Sequence, residues 1–150
     1  MFKEKTWYES EKKVQEYMKE NGYKIVLTNF SCVGVELDIV AIYPKAVQKI
    51  KAKQDLKIKI EQDKKHKSIY KNSFKTFAKT IQDLLVITEV KGRETDKYGL
   101  GSEQISDYKK NNIIRGARFL QTDKQYSKYP IRFDVASVDA GKITYIENAF

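Results

Sequence analysis

No stretch of this chain constrains its fold more than Leu84-Leu85-Val86-Ile87-Thr88-Glu89-Val90-Lys91. Its apolar and β-branched residues run nearly unbroken for a strand's length, the pattern of a strand covered on both faces. The side-chain period of two then sets Leu85, Ile87, Glu89 and Lys91 on one face, so an acid and a base stand in line with core residues. Either charge buried alone would cost several kcal/mol, and the pair needs compensation from a partner side chain, a metal or a ligand.

Two earlier elements carry acids in the same unusual setting. Thr6 and Glu9 form a capping box that predicts a helix start, and Asn21-Gly22 predicts its end. Trp7, Val14 and Met18, with Tyr17 beside them, make the stripe expected to face a sheet. Glu11 lies on that stripe, where the ordinary alternative is a flank carboxylate reaching out to solvent. A hairpin follows: Tyr23, Ile25 and Leu27 alternate with Lys24, Val26 and Thr28, and the turn falls within Asn29 to Gly34. The second strand, about Val35 to Tyr43, is expected to put Leu37, Ile39 and Ala41 on one face and Glu36, Asp38, Val40 and Ile42 on the other. Adjacent strands lie about 4.8 Å apart, so Asp38 and Glu89 converge if these two strands are neighbours.

The chain has 150 residues, the size of one domain (1–150), with 41% hydrophobic and 33% charged residues, a formal net charge of +9 and a pI near 9.4. Such a balance suits a polyanionic partner, though it can also serve solubility alone. Residues 44–83 hold nearly all the excess, with twelve lysines against Asp55, Glu61, Asp63 and Asp83. Within them Leu56, Ile58 and Ile60 alternate with Lys57 and Lys59, which predicts a short strand, while Tyr70, Phe74, Phe77, Ala78 and Ile81 predict an amphipathic helix. This Lys-rich insertion reads as a phosphate-binding arm, with Lys57, Lys59, Lys64 and Lys65 as contacts, or as a solvated excursion.

The only cysteine, Cys32, excludes an internal disulfide, and with His66 as the only histidine a zinc site or Ser-His chemistry is disfavoured. No signal core or membrane-length apolar run is present in the sequence, so the expected location is cytoplasmic. After Lys91 a glycine-containing loop leads to a helix expected over about Ser102 to Gln121. Its core face is Ile105, Ile113, Gly116, Ala117 and Leu120, and its polar stripe is Gln104, Tyr108, Asn111, Arg115 and Arg118. That stripe, with Arg93, either follows a phosphate backbone or faces water. Strands over Ile131 to Val138 and Lys142 to Ile146 close the chain around an Asp139-Ala140-Gly141 turn, and Arg132 is expected to brace Asp134 on one strand face.

Glu11, Asp38 and Glu89, each among apolar residues and followed by Lys91, suggest one chemistry. Two carboxylates near 4 Å repel by roughly 4 kcal/mol at an effective dielectric of 20, and a hard cation such as Mg²⁺ removes that cost. The ion activates water and polarises a phosphodiester, and the adjacent lysine orients the nucleophile or stabilises the transition-state charge.

In its ordered motifs the sequence resembles the YraN-like family of small bacterial proteins, placed in the PD-(D/E)xK nuclease superfamily and similar to archaeal Holliday-junction resolvases. The motifs are Glu11, Gly22-Tyr23, Asn29-Phe30, Glu36-Leu37-Asp38-Ile39, Glu89-Val90-Lys91-Gly92-Arg93, Tyr98-Gly99, Arg132-Phe133-Asp134-Val135 and Asn148-Ala149-Phe150. The resemblance implies a restriction-endonuclease-like α/β core, a central mixed sheet flanked by helices, with the Lys-rich insertion between the second and third core strands. It implies Mg²⁺ or Mn²⁺ held by Asp38 and Glu89, Glu11 completing the site directly or through water, Lys91 serving the nucleophile, and DNA as substrate. Gln104 and Tyr108 also fit the Q-x-x-x-Y element of some branches. The sequence departs from the family in having Val35 where glycine is usual, in lacking glycines beside Glu11, and in the long Asp38–Glu89 separation. A non-catalytic nucleic-acid-binding or scaffold module on the same fold is the alternative, and oligomeric state is left open, a homodimer included.

Overall fold

The computed structural model describes residues 2–93 and 105–150. Helix α1 (Phe2–Glu20) is followed by strands β1 (Lys24–Cys32) and β2 (Val35–Tyr43), then helix α2 (Lys45–Gln62), a 3₁₀ turn and helix α3 (Lys67–Thr80). Strand β3 (Leu84–Arg93), helix α4 (Asp107–Leu120) and strands β4 (Ile131–Asp139) and β5 (Lys142–Ile146) complete the order. The five strands form one sheet in sequence order, antiparallel except for the parallel β3–β4 pair, whose crossover contains α4. Val14 and Met18 of α1 pack on one face with Ile39, Ala41, Val86 and Val90. Ile113, Ala117 and Leu120 of α4 pack on the other with Leu37, Val40, Leu85 and Ile87. This mixed sheet between helices is the restriction-endonuclease-like architecture the resemblance implied.

Local chemistry accounts for the ends of several elements. At the close of α1 the Tyr23 amide donates to the Met18 carbonyl and the Gly22 amide to that of Lys19, a Schellman closure with Gly22 at φ 85°. A Cβ on Gly22 would lie 2.6 Å from Val47 Cγ1, so this glycine also lets α2 approach. The start of α1 differs from expectation: the helix already includes Phe2, so Thr6 is inside it. Trp7 is 51% exposed, so the stripe that Val14 and Met18 bury runs out of packing partners at its N-terminal end. The β1–β2 turn is only Val33-Gly34, both at positive φ, because β1 continues to Cys32.

The segment between β2 and β3 is a helical hairpin. The strand expected at Leu56–Ile60 is part of α2, and the reason is spacing: Ala52, Leu56 and Ile60 recur every fourth residue and are half-buried, whereas Ile58 is 53% exposed. Five alternating residues cannot separate the two periods, and the surrounding Lys, Gln, Ala and Leu favour helix. The amphipathic helix expected over Tyr70–Ile81 is present as α3. Helix α4 begins at Asp107 with Ser106 as its cap, Ser106 Oγ accepting from the Lys109 amide at 3.3 Å. Its predicted core face is buried throughout.

Candidate functional site

The site is built where two strands part. The β2–β3 ladder runs from Tyr43↔Leu84 to Ile39↔Thr88 and stops, leaving Asp38 and Glu89 as the first residues beyond it. Asp38 Oδ2 fills the gap by accepting the Val90 amide at 2.8 Å. On its other side β2 pairs β1 through Thr28↔Ile39 and Phe30↔Leu37, and the intervening Asn29 has φ 49°. Alternation breaks there: Leu37 packs with Val40 on the α4 side rather than with Ile39 and Ala41, contrary to the strict period expected.

Asp38 is 2% and Glu89 9% exposed. Burial, then the neighbouring Glu89 charge, push the Asp38 carboxyl up from 3.8 to about 7, against the Val90 hydrogen bond and the Lys109 charge, which lower it. Glu11 comes from α1 and is 6% exposed, so it does not reach out to solvent as a flank residue would. Its Oε2 accepts from Asn29 Nδ2 at 3.1 Å. Desolvation raises its pKa, the Asn29 bond opposes this, and Asp38 and Glu36 raise it further. The helix reaches the sheet here because residue 92 is glycine: a Cβ on Gly92 would meet Ser10 Oγ at 2.6 Å.

Lys91 is half-buried at the end of β3, in register with Ser137. A base from another element also meets the acid pair: Lys109 of α4, whose Nζ lies 3.1 Å from Glu89 Oε1. Sequence reasoning missed Lys109, and it named Asn29 only within the Asn29-Phe30 motif, without its bond to Glu11. Lys109 has no local signal, since it is one of two adjacent lysines at a helix start, whereas Asn29 stands in a residue class that tolerates positive φ.

Of the other expected contacts, Tyr108 (78% exposed), Asn111, Arg115 and Arg118 form an exposed stripe on α4. Lys57, Lys59, Lys64 and Lys65 are exposed on the hairpin. Gln104 and the Arg93 side chain lie outside the described residues. The hairpin leaves the sheet at the Tyr43–Leu84 end, opposite the Asp38–Glu89 end, so the structure does not gather those lysines with the acids. Arg132 and Asp134 brace one another as expected, through Nε–Oδ1 at 2.8 Å and Nη2–Oδ2 at 2.7 Å.

Among the described residues no three His, Cys, Asp or Glu side chains are gathered as a complete metal cage. The donor set nonetheless fits a Mg²⁺-type ion, which takes one or two carboxylates and fills its remaining positions from water and substrate phosphate. Two buried carboxylates, one with its proton affinity raised by the other, are what such a cation relieves.

Fold and site together define a restriction-endonuclease-like α/β protein with a buried acid pair at a strand divergence. Residues 10–138 match the family described as "Uncharacterised protein family UPF0102". A UPF0102 protein of Clostridium acetobutylicum is 30% identical over 146 residues, covering 93% of this chain and 88% of its own. One from Legionella pneumophila is 28% identical over 137 residues, covering 89% and 84%. The chain belongs to the UPF0102, or YraN-like, family.

Proposed function

We propose that this protein is a metal-dependent nuclease of the PD-(D/E)xK type that hydrolyses phosphodiesters in DNA, branched or damaged structures among its substrates. The observation that carries the reading is the Asp38–Glu89 pair buried at the end of the β2–β3 ladder, with Lys91 two residues beyond Glu89 on the same strand. Asp38 and Glu89 would hold Mg²⁺ or Mn²⁺, and Glu11 would complete the site from α1. When bound, the ion supplies Lewis acidity toward a phosphodiester and a water. Lys91 orients the attacking water or offsets the charge that develops on phosphorus-bound oxygens. The Val90 amide donates to Asp38 Oδ2 at 2.8 Å, so the backbone helps to position this carboxylate.

A second reading, a nucleic-acid-binding or scaffold module without turnover, is favoured by one contact: Lys109 already neutralises Glu89. The experiment that decides is a cleavage assay with Mg²⁺ or Mn²⁺ over single-stranded, duplex, flapped and branched DNA, beside Glu89→Ala and Lys91→Ala. Metal-dependent cutting lost in both variants supports the nuclease. Salt-dependent binding with no cutting of any substrate supports the module.

A further inference from the structure

The two hairpin helices carry matching rows of lysine. On α2 they are Lys45, Lys49, Lys53 and Lys57, exposed except for the half-buried Lys49; on α3 they are Lys67, Lys71, Lys75 and Lys79, all exposed. Four-residue spacing advances about 6 Å per lysine, so each row extends about 18 Å along its helix. The rows differ in surroundings. Helix α2 includes Asp55 and Glu61, and its Lys51 is committed to Glu147 at 3.1 Å. Helix α3 contains no acid, and exposed Asn72, Ser73 and Thr76 lie beside its lysines.

Like charges four apart on a helix repel, and α3 has no buried residue to offset that repulsion. Its half-buried Tyr70 and Phe74 line one cavity with Ala52 and Leu56 of α2, while Ile69 and Phe77 of the same helix are 58% and 39% exposed. An acid-free row of evenly spaced cations interleaved with amide and hydroxyl groups suits a sugar–phosphate backbone. It suits lipid less well, because the exposed large apolar side chains of α3 are only Ile69 and Phe77, interspersed with exposed Asn72, Ser73 and Thr76.

We propose that the α3 row Lys67, Lys71, Lys75 and Lys79 is a sequence-independent rail for the backbone of a nucleic-acid duplex. The rail is separate from the acid pair: Asp38 is five residues from the Tyr43 end of β2 where the hairpin departs, about 17 Å along the strand. The inference rests on the nucleic-acid part of the proposed function and not on its hydrolytic chemistry.

The test measures binding of the full chain to fluorescent duplex DNA and duplex RNA in EDTA, across a salt series. Three variants are compared: Lys→Gln at all four α3 positions, Lys→Gln at the four α2 positions, and Lys→Arg at the four α3 positions. Glutamine keeps helix propensity, and circular dichroism checks the fold. Neutralising the α3 row should shallow the plot of log K against log salt by about 3 to 4, at about 0.9 per phosphate contact. The α2 row should change it by less than about 1, and the arginine row should keep the original slope. Shallowing by equal amounts from both rows would show a diffuse charge effect and overturn the rail. So would an unchanged slope in the α3 glutamine variant, no duplex binding by the parent protein, or binding to anionic vesicles in place of duplex. Loss of cleavage in Glu89→Ala with the salt slope intact separates the chemistry from the rail. A protein that binds along the rail and never cuts leaves the rail standing alone.

Discussion

Lys109 Nζ lies 3.1 Å from Glu89 Oε1, so a base from α4 balances the acid pair formed by β2 and β3. A divalent ion between Asp38 and Glu89 would compete with that ammonium for the same carboxylate. Lys109→Met should therefore destabilise the metal-free protein by about 1–3 kcal/mol and raise its affinity for Mn²⁺. Paired urea denaturation and titration calorimetry check both effects, and unchanged Mn²⁺ affinity would remove the competition.

Divalent ions should stabilise the parent chain. At a hundred times the dissociation constant the gain is roughly 2.7 kcal/mol, visible as a concentration-dependent rise in Tm with Mg²⁺ or Mn²⁺. Glu89→Ala should abolish it. A flat melting temperature with either ion in the parent chain would argue against the metal site.

Asp38 makes stability depend on pH. Its folded-state pKa, about 7, lies above the ordinary 3.8, so between about pH 4 and pH 7 the folded protein holds more protons than the unfolded chain. The contribution is fully present below about pH 4 and is lost as pH rises through about 7, amounting to roughly 4 kcal/mol at most. Asp38→Asn removes the ionisation while keeping an acceptor for the Val90 amide. Metal-free urea curves from pH 4.5 to 8 should fall for the parent and flatten for the variant.

Gly92 sets how closely α1 approaches β3. Gly92→Ala puts a Cβ 2.6 Å from Ser10 Oγ and 3.1 Å from Ser10 Cβ, and should cost about 1–3 kcal/mol. Adding Ser10→Gly should recover part of the clash energy in a double-mutant cycle, whereas strictly additive losses would place the strain elsewhere.

Asp134 is fully buried and accepts from Arg132, Tyr145 Oη at 2.8 Å and the Asn148 amide at 2.9 Å. Removing it leaves the Arg132 guanidinium without its main partner, so Asp134→Ala should cost about 3–5 kcal/mol. Because this network is distinct from the acid pair, divalent-ion affinity measured below the variant's Tm should persist. Loss of ion binding in a folded Asp134→Ala protein would couple the two.

Much of the scaffold was legible because its signals are local. The bounds of β2, the closure at Asn21-Gly22, the Asp139–Gly141 turn, the core face of α4 and the Arg132–Asp134 brace follow from patterns within a few residues. The same locality misled at Leu56–Ile60, where a short alternation coincides with helical spacing, and at Trp7, where a helical stripe runs past the edge of what it packs on. For the site, sequence alone determined which residues were chemically out of place: Glu11, Asp38 and Glu89, acids at positions expected to be apolar. Tertiary structure decided what surrounds them. Asp38 and Glu89 meet because β2 and β3 pair and then part, Leu37 changes face beside Asn29, and Lys109 arrives from a helix across the sheet. Side-chain period describes a strand only while its ladder is regular, and the partner of a buried charge depends on what packs opposite it.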